Sequence, residues 1–564
     1  MEFLNKTKSI PFCFCSNLLS LLKAFPKKVV LMTIWQKLLL IISALFFIIL
    51  FVENFIFSSS FALLHIREID DTAFQASIRV FHQDISAFRL DRFIKLNDYG
   101  YGWIFWVIVG LITYPFYLLA LVADFYVPLI VIPRDISLLF TIGTVFFVYK
   151  SLSVYSKNEF LKFIAILLLL SFPAFGYFAL RFGTVSQVMF FSSLTFYLAI
   201  KKDSYDKNDL KKIALAAAAC VGTKLNGALI LPLIGIIMAD RLQWNVTKDN
   251  AKKAGYFLLN LIFFAILFSN PSLFLSPFKP DYLSSYLDSI KNNSHLSLQN
   301  NFSQTLQDVV EIGYLNFCGA ALAIGFFILN IFSNNRHKKD FLFIALWLVI
   351  SVSLLSKVMS MGSLYIINYV TVVMYLLVFS ILYLERWRRV GSAVAIMLLM
   401  LSLFVNHKNI TSGFYSSFKY FQMNQDPDIV AKIEAKKVMQ NLIPDPKNNL
   451  EKPINVLMDF RAIFPYANLE RNNVNVQFSF DNLQIFQNQV KGGFDYVSLN
   501  KASPFFLSDS EFAEFIKKEN NEILIINQVE SRKIVQNLMK NGKIENREYN
   551  LVFDCNNIIL FEKK

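Results

Sequence analysis

Charge is scarce in this chain. Asp, Glu, Lys and Arg make up 17% of its 564 residues, against 55% hydrophobic residues. A water-soluble chain of this length carries about a quarter charged residues and does not gather its apolar ones into runs of about 20. The shortage excludes a soluble globular protein and leaves a polytopic membrane protein. Cysteine is rarer still: Cys13, Cys15, Cys220, Cys318 and Cys555 make neither a metal-ligand spacing nor an obvious disulfide pair. Cys13 and Cys15 fit ordinary thiols better than lipidated ones. A Gly-rich phosphate loop, an inverted internal repeat and a small-residue site that would end a cleavable signal are also absent. Acidic residues number 41 against 55 basic ones, a formal charge of +14. The surplus lysines sit in short clusters between apolar runs rather than among stacking aromatics. That pattern excludes nucleic acid as a partner and fits cytoplasmic loops facing anionic lipid.

Long hydrophobic runs are what the chain has in quantity. They fall near 35–57, 103–123, 134–151, 160–179, 184–200, 210–240, 255–275, 313–332, 340–356, 365–384 and 390–406. The 210–240 run is too long for one span and is divided by Thr223-Lys224-Leu225-Asn226-Gly227. The 103–123 run is long enough to cross, but Pro115 interrupts it and Trp103, Trp106, Tyr114 and Tyr117 give it an interfacial character. Charge decides the matter. If that run lies along the outer surface, the lysines at 150, 157, 162, 201, 202, 207, 211 and 212 are cytoplasmic, as the positive-inside bias requires. The expected fold is an all-α polytopic domain of about eleven spans plus a juxtamembrane surface helix. A cytoplasmic segment covers 1–34, the transmembrane domain covers 35–407 with a first outer loop at about 58–133, and the remainder covers 408–564. From Asp428 onward, helical and alternating strand patterns, including 454–458, 475–480 and 522–526, predict a small extracytoplasmic α/β domain. A terminal hairpin is expected around Cys555-Asn556-Asn557.

On this topology the outer face collects the residues that could do chemistry. Asp70 and Asp71 follow the first span, where carboxylates are costly to desolvate. The pair fits either a solvated helix start, favoured by the helix dipole, or a site for water, a cation or catalysis. Asp98, Tyr99, Tyr101 and Trp103 stand at the end of the same loop, and Arg181, Lys224 and Lys357 at three helix ends. Each cation alone reads as a snorkelling residue. Together they suit group transfer from a phosphate, in which a carboxylate takes a proton from a hydroxyl while cations hold the phosphate and stabilise it as it leaves. His295, Asp281 and Tyr282 fit ordinary loop positions, and the Asn-x-Ser/Thr triplets at Asn301 and Asn409 are too short to carry weight.

The ordered set resembles the GT-C membrane glycosyltransferases, in particular the branch of protein O-mannosyltransferases and the lipid A aminoarabinose transferase. The family's Asp-Glu-x-x-Tyr-like element at the start of a large outer loop resembles Asp70-Asp71-Thr72-Ala73-Phe74, with Asp for Glu and Phe for Tyr. Its aromatic stretch resembles Asp98 to Trp106, its proline-then-arginine element Pro173 to Arg181, and its small-residue helix ending in Thr-Lys-x-x-Gly the stretch from Ala216 to Gly227. The likeness runs in order over about 35–410. One departure is plain: Thr184, Ser186 and Gln187 stand where the family often has a second acid. That departure counts against a metal-dependent mechanism of the oligosaccharyltransferase type. No cofactor and no metal-ligand set are expected, with divalent-metal dependence left open.

The resemblance implies an inverting transfer of a sugar from a polyprenyl-phosphate donor to an acceptor hydroxyl. The acceptor would be a glycolipid, surface polymer or protein at the outer face of a bacterial inner membrane. Asp70 would be the base, with Asp71 supporting it. Arg181, Lys224 and Lys357 would hold the phosphate, and Asp98, Tyr99, Tyr101 and Trp103 would shape the pocket, since aromatic faces suit sugars. The competing readings are a transporter or flippase, which would bind phosphate with the same cations and need no base, and a scaffold displaying the C-terminal domain. The large first loop and the missing repeat disfavour transport; the acidic pair disfavours a scaffold.

Overall fold

The structure, a computed structural model, describes residues 32–58, 102–123, 127–171, 179–242 and 247–284 and isolated positions between them. It also describes scattered positions from 392 to 442, strands at 454–459, 474–479 and 523–526, and most of 543–564. The described helices are α1 (Ile34–Ser58), α2 (Trp103–Ala123), α3 (Val127–Tyr155), α4 (Glu159–Leu170), α5 (Thr184–Ile200), α6 (Lys207–Thr223), α7 (Ile230–Arg241) and α8 (Lys248–Ser269).

Their packing fixes their directions. Trp35, early in α1, meets Phe160, early in α4, at 4.7 Å between ring centroids, so these two run the same way. Gln36 donates to Tyr149 at 3.1 Å, and Asn54 donates to Asp135 at 2.6 Å, so α3 runs opposite to α1. Helix α5 runs alongside α3, with Phe140 against Phe190 and Phe147 against Tyr197. Helix α6 returns, because Cys220 near its end touches Ser192 midway along α5 at 3.1 Å and Val188 nearer its start at 3.7 Å. Helix α8 runs with α6, since a Cβ at Gly222 would meet Phe268. The bundle therefore has a proximal end, where α1, α4, α6 and α8 begin, and a distal end, where they finish.

The proximal starts are secured by side chains. Thr33 and Gln36 close a reciprocal cap on α1, Asn158 caps α4, Asp206 and Asp209 form a capping box on α6, and Thr247 caps α8. Small residues Ala214, Ala217, Ala218 and Cys220 are fully buried in α6, letting its neighbours approach closely. Outward stripes are apolar: Ile41, Leu45, Ile48 and Val52 on α1, and Leu258, Leu259, Ile262 and Phe263 on α8, are all exposed. Exposed apolar stripes on helices of 25 and 22 residues suit lipid, not water. The chain is an integral membrane protein. Four described helices are long and apolar enough to cross a membrane, α2 among them by length and composition.

The contacts of α2 are informative. Its first residues join the distal end, because Gly102 donates to the Thr223 carbonyl at 3.0 Å. Its last residue precedes Val127, the distal start of α3, by only four positions. Both ends thus lie at the distal end, and α2 runs along that end rather than through the bundle.

The strands β1 (Ile454–Asp459), β2 (Val474–Ser479), β3 (Ile523–Ile526), β4 (Lys543–Ile544), β5 (Arg547–Cys555) and β6 (Ile558–Lys563) form one mixed sheet in the order β2-β1-β3-β6-β5-β4. Strand β1 is parallel to β2 and β3; the remaining pairs are antiparallel. Cys555 pairs with Ile558, so β5 and β6 form the terminal hairpin expected around Cys555, while Asn556 and Asn557 lie outside the described residues.

Candidate active site

The distal end is built by three close approaches. The first joins α2, α6 and α8. A Cβ at Gly102 would lie 1.4 Å from the Gly222 carbonyl oxygen, and one at Gly222 would lie 2.4 Å from the Phe268 Cβ. Only glycine allows these backbones to meet, and the contact sets Trp103 one residue from α6 and Lys224 one residue from α2. The second joins the segment before α5 to α2: Phe182, buried, stacks on Phe105 with centroids 5.7 Å apart and planes 24° apart. Arg181 is the residue before it. The third joins α5 to α6 through Cys220, whose Sγ donates to the carbonyls of Val188 at 3.7 Å and Gly227 at 3.5 Å. Trp103, Arg181 and Lys224 are thereby gathered at one end, each within two residues of a contact between elements.

Lys224 is the C-cap of α6. Its backbone is extended (φ −158°, ψ 138°), its N–H reaches back to the Cys220 carbonyl, and its own carbonyl accepts from Gly227 at 2.8 Å. This turn separates α6 from the 3₁₀ segment Leu225–Leu229 and α7, so the 210–240 run is broken at Thr223–Gly227, where its polar residues fall. The half-buried Lys224 and Arg181 sit where helices end and water or a lipid headgroup begins. Burial lowers the Arg181 guanidinium to about 10, so it stays charged at neutral pH while incompletely hydrated. A cation in that condition gains from an anion placed beside it.

At the end of α8, Asn270 is fully buried and accepts from the Ser272 N–H at 3.3 Å and hydroxyl at 2.6 Å, with Pro271 starting the 3₁₀ turn Pro271–Leu275. The helix therefore stops at Ser269, earlier than the apolar run at 255–275 predicts, because Pro271 has no N–H to continue it. Beyond it Lys279 lies over the Tyr282 ring at 5.6 Å, and Asp281 is exposed. Asp70, Asp71, Asp98, Tyr99, Tyr101, His295 and Lys357 lie outside the described residues.

The distal end also holds ionisable residues that the sequence reading passed over. Glu53, Arg134, His82 and Asp84 are buried, and Asp135 is half-buried with Asn54 donating to it. His82 Nε2 lies 3.1 Å from the Gly110 carbonyl and 2.9 Å from Thr113 Oγ1, which itself donates to Val109; Nε2 is therefore the donor, and it docks the first loop onto α2. Arg134 and Asp135 were legible in principle, because ionisable residues inside an apolar helix are rare and functional by default. The hydrophobic run places them at a boundary, whereas α3 begins seven residues earlier with Pro128 in its first turn, where a missing N–H does no harm. Among the described residues, no group of three or more His, Cys, Asp or Glu could hold a metal ion.

No protein-family model matches the sequence, and no curated protein matches it. Solved structures do match the fold. The crystal structure of ArnT from Cupriavidus metallidurans bound to undecaprenyl phosphate is similar over 93% of this chain and 97% of its own, with a TM-score of 0.55 at 10% identity. The apo structure of the same protein is similar over 86% and 92%, with a TM-score of 0.52 at 10% identity. The chain has the fold of ArnT, a GT-C enzyme.

Proposed function

We propose that the protein is a glycosyltransferase that moves a sugar from a polyprenyl-phosphate donor to an acceptor hydroxyl at the outer face of the cytoplasmic membrane. The observation that carries this reading is the gathering of Arg181 and Lys224, with Trp103, at one end of a membrane bundle. Two cations at the membrane boundary suit a phosphate whose lipid tail lies among helices. The fold supports the reading, because ArnT, which shares it, has been solved with undecaprenyl phosphate.

In the proposed reaction the acceptor oxygen attacks the anomeric carbon as Asp70 takes the hydroxyl proton. The bond from that carbon to the phosphate oxygen breaks, and the lipid phosphate leaves with the electron pair and inverts the centre. Arg181, Lys224 and Lys357 hold the departing charge. Asp71 orients the loop, and Asp98, Tyr99, Tyr101 and Trp103 line the sugar pocket. The transmembrane domain of 35–407 carries this chemistry, with 408–564 on the same outer side.

The test is mass spectrometry of lipids and surface glycans from a strain lacking the gene. A polyprenyl-phosphate sugar should accumulate and one glycan residue should vanish. The wild-type gene should reverse both changes. Asp70→Asn at equal expression should not, because a general base contributes about 10²–10⁴-fold to rate. An unchanged lipid and glycan profile would remove the transferase reading. Full complementation by Asp70→Asn would remove the base.

A further inference from the structure

One turn below the distal end lies a layer of polar side chains. Because α3 and α5 run in parallel with Phe140 against Phe190 and Phe191 and Phe147 against Tyr197, the shared register sets Arg134 level with Thr184 and Ser137 level with Gln187. Asn54 ties α1 to the same layer through Asp135 and the Val131 carbonyl. Most of the layer is bonded internally: Ser137 donates to Pro133, and Asn54 to Asp135. Two atoms are not. Ser186 Oγ and Gln187 Oε1 have no hydrogen-bond partner among the described residues, and both side chains are only 1% exposed. Buried polar groups in folded proteins are nearly always hydrogen-bonded, so two unsatisfied atoms on adjacent residues call for an occupant.

The surroundings indicate which occupant. Side chains on a helix lean toward its N-terminus, which carries Ser186 and Gln187 toward Gly183 and Arg181. Gly183 is extended (φ −172°, ψ 173°) and gives α5 no side-chain cap; a Cβ there would meet no atom within 4 Å. The chain thus leaves open space at Gly183, one helical turn before the two unsatisfied atoms and two residues after Arg181. The chemistry of the atoms narrows the choice further. An amide oxygen only accepts, so its partner must donate, and a phosphate at neutral pH offers chiefly acceptors. A sugar hydroxyl donates and accepts, matching both the amide oxygen and the serine hydroxyl.

We propose that Ser186 and Gln187 form a sugar-reading subsite, hydrogen-bonding hydroxyls of the donor's sugar while its phosphate rests on Arg181 and Lys224. This inference rests on the donor reading above and adds to it the residues that determine specificity. The absence of an acid at these positions makes the subsite suited to neutral hydroxyls.

The test uses the full-length protein in lipid nanodiscs. Its affinity is measured for undecaprenyl phosphate and for undecaprenyl phosphate carrying glucose, mannose or arabinose. The wild type should bind at least one loaded lipid more tightly than the bare one. Gln187→Leu and Ser186→Ala should each reduce that preference about tenfold and leave bare-lipid affinity unchanged. Arg181→Ala should weaken loaded and bare lipids alike. Gln187→Leu should also fold with unchanged or higher thermal stability, because replacing an unsatisfied buried amide by an apolar group of similar shape removes a penalty. Preference retained in both variants would mean that the atoms hold water, and the subsite would be overturned. So would a wild type without preference among these lipids, or an unfolded Gln187→Leu protein. Failure to bind any of the lipids, bare or loaded, would instead overturn the donor reading, and the subsite with it.

Discussion

A single missing carbon decides how closely the distal helices meet. At Gly102 and Gly222 the neighbouring atoms are backbone or Cβ, which cannot rotate away as the tip of a side chain can. Gly102→Ala or Gly222→Ala should therefore cost at least about 1–3 kcal/mol, the usual penalty of overpacking. Gly255, in the first half of α8, would place an added methyl with nothing within 4 Å, so Gly255→Ala should be neutral or mildly stabilising by helix propensity. Thermal unfolding of the three variants in one detergent would check the contrast; equal stability would mean that the glycine junction is not a close contact in solution. Arg181 adds a statement about pH. Its folded pKa is lowered by burial, so the penalty on its charged form is present at neutral pH and is relieved only as pH rises through about 10. Phosphate affinity should accordingly show no titration from this cation between pH 6 and 9. Arg181 and Lys224 were visible in the sequence because each is an isolated cation where an apolar run ends. Ser186 and Gln187 were visible only as the absence of an acid. That Ser186 Oγ and Gln187 Oε1 have no partner among the described residues is a property of tertiary packing, which no local pattern displays.

At the scale of an element, one network at the proximal end shows the opposite design from the Ser186 and Gln187 layer: its polar groups are satisfied. Lys162 on α4 is 4% exposed and pairs with Glu159 at 2.5 Å, donates to Ser153 at 3.3 Å and lies over the Tyr149 ring at 5.2 Å. Tyr149 donates to Glu159 at 2.8 Å and accepts from Gln36 of α1, so three helices are clasped by one network. Removing one partner leaves a buried charge without compensation. Glu159→Ala should therefore destabilise by about 3–5 kcal/mol, whereas the double variant Glu159→Leu with Lys162→Met should recover most of that loss. Thermal unfolding of the pair decides it; a double variant as unstable as the single one would contradict the network's role. Helix positions were largely readable here, because hydrophobic runs and N-cap residues such as Asn158, Asp206 and Thr247 mark them. The start of α3 is hidden by the prolines at and after its first turn, and that of α8 by the mostly polar stretch from Lys248 to Lys253 that precedes its apolar run. Strands β1, β2 and β3 lie where alternation places them, and β5 and β6 pair as a hairpin that closes at Cys555 and Ile558. The sheet order, with β1 parallel to two neighbours, depends on pairings across long separations and is not written in any local pattern.

For the whole molecule, the distribution of charge bears on which end faces which side of the membrane. The proximal end carries Lys150, Lys157, Lys162, Lys201, Lys202, Lys207, Lys211, Lys212, Lys248, Lys252 and Lys253 at helix ends and in the short connections between helices. Several are held there by acids, as Lys202 is by Asp209 at 2.6 Å and Lys253 by Asp249 at 2.9 Å. Basic residues in short loops stay on the cytoplasmic side during insertion, so the proximal end should face the cytoplasm and the candidate site the outside. Helix α2 makes this consistent: composition alone would make it a span, yet both its ends are distal, and the polarity of every later helix depends on that. Two exposed positions test it. In a variant with all five native cysteines replaced, Ser204→Cys, in the turn between α5 and α6, reports the proximal end, and Lys279→Cys, beyond α8, reports the distal end. An impermeant thiol reagent added to intact cells with a permeable outer layer should label Lys279→Cys and spare Ser204→Cys until the membrane is opened. The reverse pattern would put the Arg181 and Lys224 end in the cytoplasm, where a donor displayed on the outer leaflet could not reach it. Labelling of both positions would mean that the preparation leaks, which a cytoplasmic marker enzyme assayed in the same cells would reveal. The orientation, unlike the fold, is fixed by how lysines are distributed along the chain, so moving the charge should move the protein. Replacing Lys201, Lys202, Lys207, Lys211 and Lys212 with glutamine should raise labelling at position 204, and a chain that kept its orientation without them would show that other clusters dominate.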